Sequence, residues 1–254
     1  MKKLPDFTNM HCLVVGASSG LGLEIVRELL KRGAKVVAAS RNISNLLKIK
    51  NRYSGKRAKL FVIKTDITNS RQVDKLANFS IKALGNLNLL INTAGVAMYK
   101  PFLYLNDSEV KTVIDVNLTS AIMLIKKMLP VIIKAKDKKY VVQLGSLAGI
   151  KPGHKKFSVY SAAKEGLAGL FRSLAPEFEE QGVKFILVCP TGIKTNIAKN
   201  AIGAKELVKK FSESDLDNPK DVACGILDNL DSELVDGGIR LLPTTKSKQT
   251  YENL

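Results

Sequence analysis

Histidine and cysteine are scarce in this chain. His11 and His154 are the only histidines, and Cys12, Cys189 and Cys224 the only cysteines. Neither histidine lies in a metal-ligand spacing, so no metal site is expected. The cysteines are odd in number and far apart, and two sit in apolar runs. That excludes a disulfide framework and points to free, partly buried thiols in a reducing compartment, hence a cytoplasmic protein. Long apolar runs are also missing. The stretch 1–10 has no apolar core fit for a signal peptide. No stretch reaches the ~18 consecutive apolar residues of a membrane span. Repeats, low-complexity linkers and composition breaks are absent too. One domain over 1–254 is therefore expected, with a polar, fraying tail at 244–254.

Acidic residues are few, 23 against 40 basic ones, for a formal charge of +17. Such an excess raises nucleic-acid or acidic-membrane partners. The lysines, however, are spread over the whole length, and no arginine-rich block or aromatic-interleaved basic stripe occurs. The charge reads as a solvated surface that also attracts anionic cofactors and substrates, and a nucleic-acid partner is not expected. Apolar content of 45% and charged content of 25% are those of an ordinary globular protein.

What is present is ordered punctuation. The apolar run 12–15 leads directly into Gly16, Ala17, Ser18, Ser19, Gly20, Leu21 and Gly22, and an amphipathic pattern then runs through Ile25, Leu29 and Leu30 to Gly33. Strand, glycine turn and helix in that order form a dinucleotide cradle. Glycines admit the pyrophosphate to the backbone, and the helix start offers free N–H groups and a positive dipole end. A second strand, 35–39, ends at Ser40 and Arg41 with no carboxylate for the adenosine ribose. Arginine can instead pair with a 2′-phosphate, so NADP(H) is favoured over NAD(H); the alternative is a solvent-facing loop residue.

Further strands are expected at 60–63, 87–91, 140–144, 183–188 and 239–242. They alternate with helices at 73–84, from Asp107 to about Met128, around Tyr160, and after Asn218-Pro219. This alternation predicts an α/β fold: a Rossmann-like, doubly wound parallel sheet with helices on both faces. Polar and glycine residues cluster just after the strands, where such sheets bind their ligands: Asp66-Ile67, Asn92 with Ala94 and Gly95, Ser146, and Pro190 with Gly192. Tyr160 and Lys164, four apart, share one helical face. A lysine ammonium beside a phenol favours the phenolate, so the Tyr160 pKa is expected to fall from about 10 toward that of a working proton donor. A surface Tyr-Lys pair is the alternative.

The set Gly16-(x)3-Gly20-x-Gly22, Asp66-Ile67-Thr68, Asn92-Thr93-Ala94-Gly95, Asn117, Ser146 and Tyr160-(x)3-Lys164 resembles the short-chain dehydrogenase/reductase family, and the likeness extends from Leu13 to about Leu242. The resemblance implies hydride transfer between a nicotinamide and a carbonyl or alcohol carbon of a small molecule. It makes Tyr160 the general acid/base and Lys164 its electrostatic partner and a ligand of the nicotinamide ribose. Ser146 would hydrogen-bond the reacting oxygen, and Asn117 would hold a water of the proton relay. It further implies that Asp66 accepts a bond near the adenine, that Pro190, Gly192, Ile193 and Thr195 approach the carboxamide, and that a homodimer or homotetramer forms through the helices carrying Asn117 and Tyr160. A 3-oxoacyl reductase is one subtype that fits. Ser146, Asn117 and Asp66 could instead cap turns or bond to backbone, and Asn92 could mainly brace the sheet.

Departures from the family pattern are Val15 before the first glycine, Pro190-Thr191-Gly192 in place of Pro-Gly, and a basic segment, Lys151 to Lys156, that admits an anionic substrate. The motif Val235-Asp236-Gly237-Gly238 aligns poorly. The rival class is a cofactor-sensing or nucleic-acid-binding protein on the same scaffold. If Arg41 reads the 2′-phosphate, Arg41→Ala weakens NADPH binding by about tenfold or more and leaves NADH binding nearly unchanged. Titration of both cofactors tests this, and an equal loss of both, or of neither, rejects it.

Overall fold

Short apolar runs and amphipathic stretches alternate along the chain, and the computed structural model turns that alternation into a parallel sheet covered on both faces. It describes residues 6–53, 59–150, 153–190, 192–210, 214, 216–231 and 240–242. The strands are β1 His11–Val15, β2 Lys35–Ser40, β3 Lys59–Lys64, β4 Leu89–Asn92, β5 Lys139–Leu144, β6 Val183–Val188 and β7 Arg240–Leu242. The helices are α1 Gly20–Lys31, α2 Ser44–Lys50, α3 Ser70–Leu84, α4 Asp107–Ile114, α5 Ser120–Ile133, α6 Ser158–Glu177, α7 Ala204–Lys210 and α8 Pro219–Asp228. All pairings are parallel, in the order β3-β2-β1-β4-β5-β6-β7. The order reverses between β1 and β4, which opens a crevice at the carboxyl ends of those strands.

Period-two alternation divides each central strand between two cores. Cys12, Val14, Val36, Ala38, Leu89 and Ile91 face the core closed by α1, α2 and α8. Leu13, Val15, Val37, Ala39, Leu90 and Val141 face the core closed by α3, α5 and α6. A third, smaller cluster lies beyond the strand ends, where Ala97, Met98, Phe157, Tyr160 and Leu207 meet. As expected, Pro219 stands at the first turn of α8, and Asn218 caps it by accepting from the Lys220 amide at 2.9 Å.

Three differences from the sequence reading have physical causes. The helices α2 and α7 were not expected: each has only seven residues and no strong N-terminal signal, so tertiary contacts hold them. Strand β4 begins at Leu89 rather than at the expected Leu87. The cause is Asn88, whose side chain accepts from the His11 amide at 3.2 Å and donates to the Lys138 carbonyl at 3.4 Å, bridging the starts of the flanking strands. Third, the long helix expected from Asp107 to about Met128 runs on to Ile133, with α4 and α5 joined by a π turn, Asp115–Thr119; by length and composition alone it could cross a membrane. Its apolar face, with Leu124, Ile125, Met128 and Ile132, is buried in the second core, as a sheet-covering helix requires. The motif at 235–238, Lys151, Thr191 and the tail 244–254 lie outside the described residues.

At the amino ends of the strands, three side chains converge on Asp231 just past α8. Tyr140 Oη donates to its carboxylate at 2.8 Å and Lys184 Nζ at 2.7 Å, and Lys138 Nζ bonds the other oxygen. Burial pushes the Asp231 pKa up, but these three donors outweigh it and hold the carboxyl well below the usual carboxylate range. A depressed carboxylate adds stability above its unfolded pKa and loses it as the pH falls through the folded value. Because the side chain is 47% exposed, screening limits the contribution to about 1 kcal/mol. Asp231→Asn is therefore expected to lower unfolding stability by about that amount at pH 7. In urea titrations the gap between variant and wild type closes as the pH falls below ~4.

Candidate active site

The crevice is floored by backbone. Gly16 has φ +78°, and a Cβ there would lie 2.7 Å from both the Ala94 amide nitrogen and Thr93 Oγ1. A Cβ on Gly22 would lie 2.4 Å from the Gly16 carbonyl oxygen. Only glycine lets β1, the start of α1 and the end of β4 approach this closely. The Gly16 and Ala17 amides donate to Ala39 O at 3.0 and 3.2 Å, tying the turn to β2. Ser19 is exposed at the N-cap of α1 and makes no side-chain cap bond, so the first amides of α1 have no capping side chain. Ser18 Oγ lies 2.8 Å from Ser40 Oγ, and Asn45 Nδ2 donates to Ser18 O at 3.1 Å. Leu21 is buried beneath the turn.

Arg41 is exposed at the end of β2 and faces Asp66 across the strand ends. Asp66 Oδ1 accepts from the Thr68 amide at 3.0 Å and from Thr68 Oγ1 at 2.7 Å, a local turn of the kind its sequence also allowed. Burial pushes the Asp66 pKa up, but the Thr68 bonds and the Arg41 charge bring it below the ordinary value. Ile67 is buried. Asn92 is a brace: Nδ2 donates to Gln143 Oε1 at 2.9 Å, and Oδ1 accepts from the Ala94 amide at 3.1 Å. On the far side, Pro190 O accepts from the Leu147 amide at 3.0 Å and Gly192 O from the Asp217 amide at 3.0 Å. Ile193 forms an isolated parallel bridge with Asp217, and Thr195 lies against Gly20, where a Cβ would come within 2.8 Å of its Cγ2.

The four expected catalytic residues come from three elements and meet beside Gly95. Ser146 follows β5, and its Oγ accepts from the Ala148 amide at 3.2 Å. It also lies close enough to Tyr160 to favour the phenolate. Lys164, one turn further along α6, donates to the Leu144 carbonyl at 2.9 Å, and its Nζ lies 5.7 Å from the Tyr160 ring centroid. A Cβ on Gly95 would stand 2.9 Å from Asn117 Oδ1 and 3.8 Å from Lys164 Nζ, so this glycine keeps the space between them open.

One expectation needs correction. The Tyr160 pKa is not lowered. Burial raises it, and the nearby Ser146 hydroxyl only partly offsets that. Burial in turn lowers Lys164 to about 8. The cause is geometric: the ammonium points to the Leu144 carbonyl rather than to the phenol oxygen, and both groups are enclosed. The phenol therefore holds its proton. Asn117, within the π turn, spends its side chain on backbone. Nδ2 donates to Val96 O at 2.9 Å and to Val113 O at 3.1 Å, and Oδ1 accepts from the Val96 amide at 3.2 Å. These bonds clamp the helix to the 95–96 turn, the backbone role that the sequence also allowed.

Residues 10–206 match the family model of the short chain dehydrogenases. The chain belongs to the short-chain dehydrogenase/reductase family. Among curated relatives, a 3-oxoacyl-[acyl-carrier-protein] reductase, FabG, of Buchnera aphidicola is 34% identical over 74% of this chain and 75% of its own. The ketoacyl reductase HetN of a Nostoc species is 29% identical over 96% of this chain and 83% of its own. A Burkholderia phymatum short-chain dehydrogenase/reductase, solved with NAD, superposes with TM-score 0.85 at 21% identity, over 99% of this chain and 94% of that one. A Burkholderia cenocepacia short-chain dehydrogenase, solved with NADP, superposes with TM-score 0.80 at 19% identity, over 95% and 98%. These two share the fold and differ in the cofactor each holds. The family consists of oxidoreductases that bind nicotinamide cofactors and act on small molecules.

One residue of this short-chain dehydrogenase/reductase site escaped the sequence reading. Gly149 lies three positions after Ser146, and a Cβ there would sit 2.5 Å from Lys164 Cβ, 2.6 Å from its carbonyl carbon and 2.8 Å from its carbonyl oxygen. It lets the Ser146 turn rest directly on α6. Its spacing was the available signal, but spacing alone cannot tell close packing from a loose turn. Gly149→Ala is expected to part Ser146 from Tyr160 and to lower kcat by about 10- to 100-fold. Turnover measured beside thermal unfolding tests this; a loss of activity fully explained by unfolding rejects it.

Proposed function

We propose that this oxidoreductase interconverts a ketone and a secondary alcohol with NADP(H), and that Tyr160 is its general acid/base. The observation that carries the reading is Ser146 beside buried Tyr160 and Lys164, at the strand ends that also bear the glycine cradle. The cradle suits a dinucleotide: Cβ-free backbone at Gly16 and Gly22, the uncapped start of α1, and open space at Gly95. Gly16, Ser18, Ser19, Gly20, Leu21 and Gly22 would line the pyrophosphate. Arg41 would meet the 2′-phosphate, and Asp66 and Ile67 the adenine side. Asn92, Ala94, Gly95, Pro190, Gly192, Ile193 and Thr195 would border the nicotinamide. The dinucleotide, when bound, supplies the hydride.

The protein's own part is to orient the carbonyl and move a proton. Ser146 Oγ donates to the carbonyl oxygen and holds it beside the Tyr160 hydroxyl. Tyr160, protonated in reduction, gives its proton to that oxygen as negative charge develops; in oxidation its phenolate takes the proton back. Lys164, held by the Leu144 carbonyl beside the Tyr160 ring, would reach toward the ribose. Asn117 positions the 95–96 turn that borders both. The Buchnera and Nostoc relatives favour a 3-oxoacyl compound as substrate.

In the basic loop, Lys156 is already bonded to Glu206, which takes one of its cations out of play for an anionic substrate. A single catalytic domain, assembled as a homodimer or homotetramer in the cytoplasm, completes the proposal. The rival binding-protein reading is not favoured, since binding alone gives no use to Ser146, Tyr160 and Lys164 together. An NADPH-oxidation screen over ketones, acyl thioesters and sugars tests the whole. Tyr160→Phe is expected to cut kcat by about 10²- to 10⁴-fold while NADPH binding persists. Wild-type silence across the screen, with tight and steeply salt-dependent nucleic-acid binding, overturns it.

A further inference from the structure

Between β6 and α8 the chain crosses the region above Tyr160 as a strap, residues 192–210. It is pinned at two points by isolated parallel bridges, Ile193 to Asp217 and Met98 to Ile202. The Ile202 amide donates to Ala97 O at 3.0 Å, and Ile202 O accepts from the Tyr99 amide at 2.8 Å. Leu207, on α7, is buried in the cluster that includes Phe157, Val159 and Tyr160. The strap is thus an apolar wall beside the reacting hydroxyl.

One side chain ties this wall to the loop preceding α6. Lys156 is the one non-glycine residue with positive φ, 68°, among the described residues. A lysine stays in that region only when its surroundings over-determine it. Here they do. Its carbonyl accepts from the Lys100 amide at 2.9 Å, its Nζ donates to Glu206 Oε2 at 2.8 Å, and the same Nζ lies 5.2 Å from the Tyr99 ring centroid. Tyr99 packs on Phe157 at 5.1 Å between centroids, and Phe157 on Tyr160 at 5.8 Å. The three segments that border the reacting centre, around 99, 156 and 206, therefore meet at one ammonium.

We infer that Lys156 is a positioning residue that anchors the strap to the Tyr99 turn and so sets the wall against which the substrate rests. The inference builds on the oxidoreductase reading and adds a substrate class to it. With its ammonium taken by Glu206 and Tyr99, Lys156 is paired away from the site, and the side chains that cluster with Tyr160, among them Phe157, Val159 and Leu207, are apolar. The ion pair alone is weak, because its side chains are 38% and 59% exposed. Its effect comes from joining segments that are already bridged at Met98 and Ile202.

Hydrogen exchange of the strap amides, read with no substrate present, tests the anchor separately from the activity. Lys156→Met keeps a residue at positive φ without the cation. Lys156→Gly removes the cation and relieves the backbone. Both, and Glu206→Gln, are expected to speed exchange across 202–209 by roughly two- to fivefold, and Lys156→Met with Glu206→Gln together no further. Lys155→Met, the same charge change one residue earlier, leaves exchange as in wild type. With an apolar ketone, Lys156→Met raises KM more than it lowers kcat. Unchanged exchange in both Lys156 variants, or equal acceleration in Lys155→Met, overturns the anchor. A preference for anionic over neutral ketones overturns the substrate class. Wild-type silence on every carbonyl would fault the oxidoreductase reading, while the exchange data would still decide the anchor.

Discussion

Burying the Lys164 ammonium is the constraint on which the candidate site depends. The residue is 4% exposed. An enclosed ammonium costs several kcal/mol unless it is bonded, and it sheds its proton more readily as a result. The fold offers it the Leu144 carbonyl at the end of β5, and burial still brings its pKa down to about 8. Two glycines let neighbouring turns close around Lys164 and Asn117. Gly149 lets the Ser146 turn lie on the α6 backbone at Lys164, and Gly95 clears the gap toward Asn117. The same packing that encloses the lysine brings Ser146 to Tyr160. Geometry and electrostatics at the site therefore have one origin.

The parallel sheet provides the frame for that packing. Its central strands are buried on both faces, so their positions relative to one another are held by two cores at once. The carboxyl ends of β1, β4, β5 and β6 then form a rigid rim on which short turns carry the chemistry. At the other end of the sheet, Asp231 gathers Tyr140, Lys138 and Lys184 from the start of β5, its preceding turn and β6, and secures the end of α8 to them. The two ends divide the labour: charge pairing secures the amino ends, and absent side chains open the carboxyl ends.

Much of this was legible in the order of residues alone. The alternation of strands and helices, the glycine turn after β1, and the order Ser146, Tyr160, Lys164 all rest on local periodicity and on spacing along the chain. β6 matched its expected limits, and most other elements matched within a few residues. The described part of the 151–156 segment shows why the remainder was hidden. Its lysines read as a basic rim, yet the charge on Lys156 is answered by Glu206, fifty residues away. Asn117 behaves similarly, since its partners at Val96 lie on another turn and decide that its side chain clamps backbone. The helix from Asp107 was underestimated in extent, to Met128 rather than Ile133, because Pro130 interrupts its run, although its buried face is continuous.

By itself, then, the sequence determined the fold class, the family and the chemical identity of the residues at the crevice, because each is written in spacings of two, four or a few residues. Tertiary structure alone decided their electrostatic state and their company. That the Tyr160 phenol keeps its proton, that Lys164 faces a carbonyl, that Gly149 must lack a side chain, and that Lys156 is spoken for all depend on burial and on contacts between distant segments. Dielectric environment and long-range approach have no period along the chain, so no local pattern could carry them.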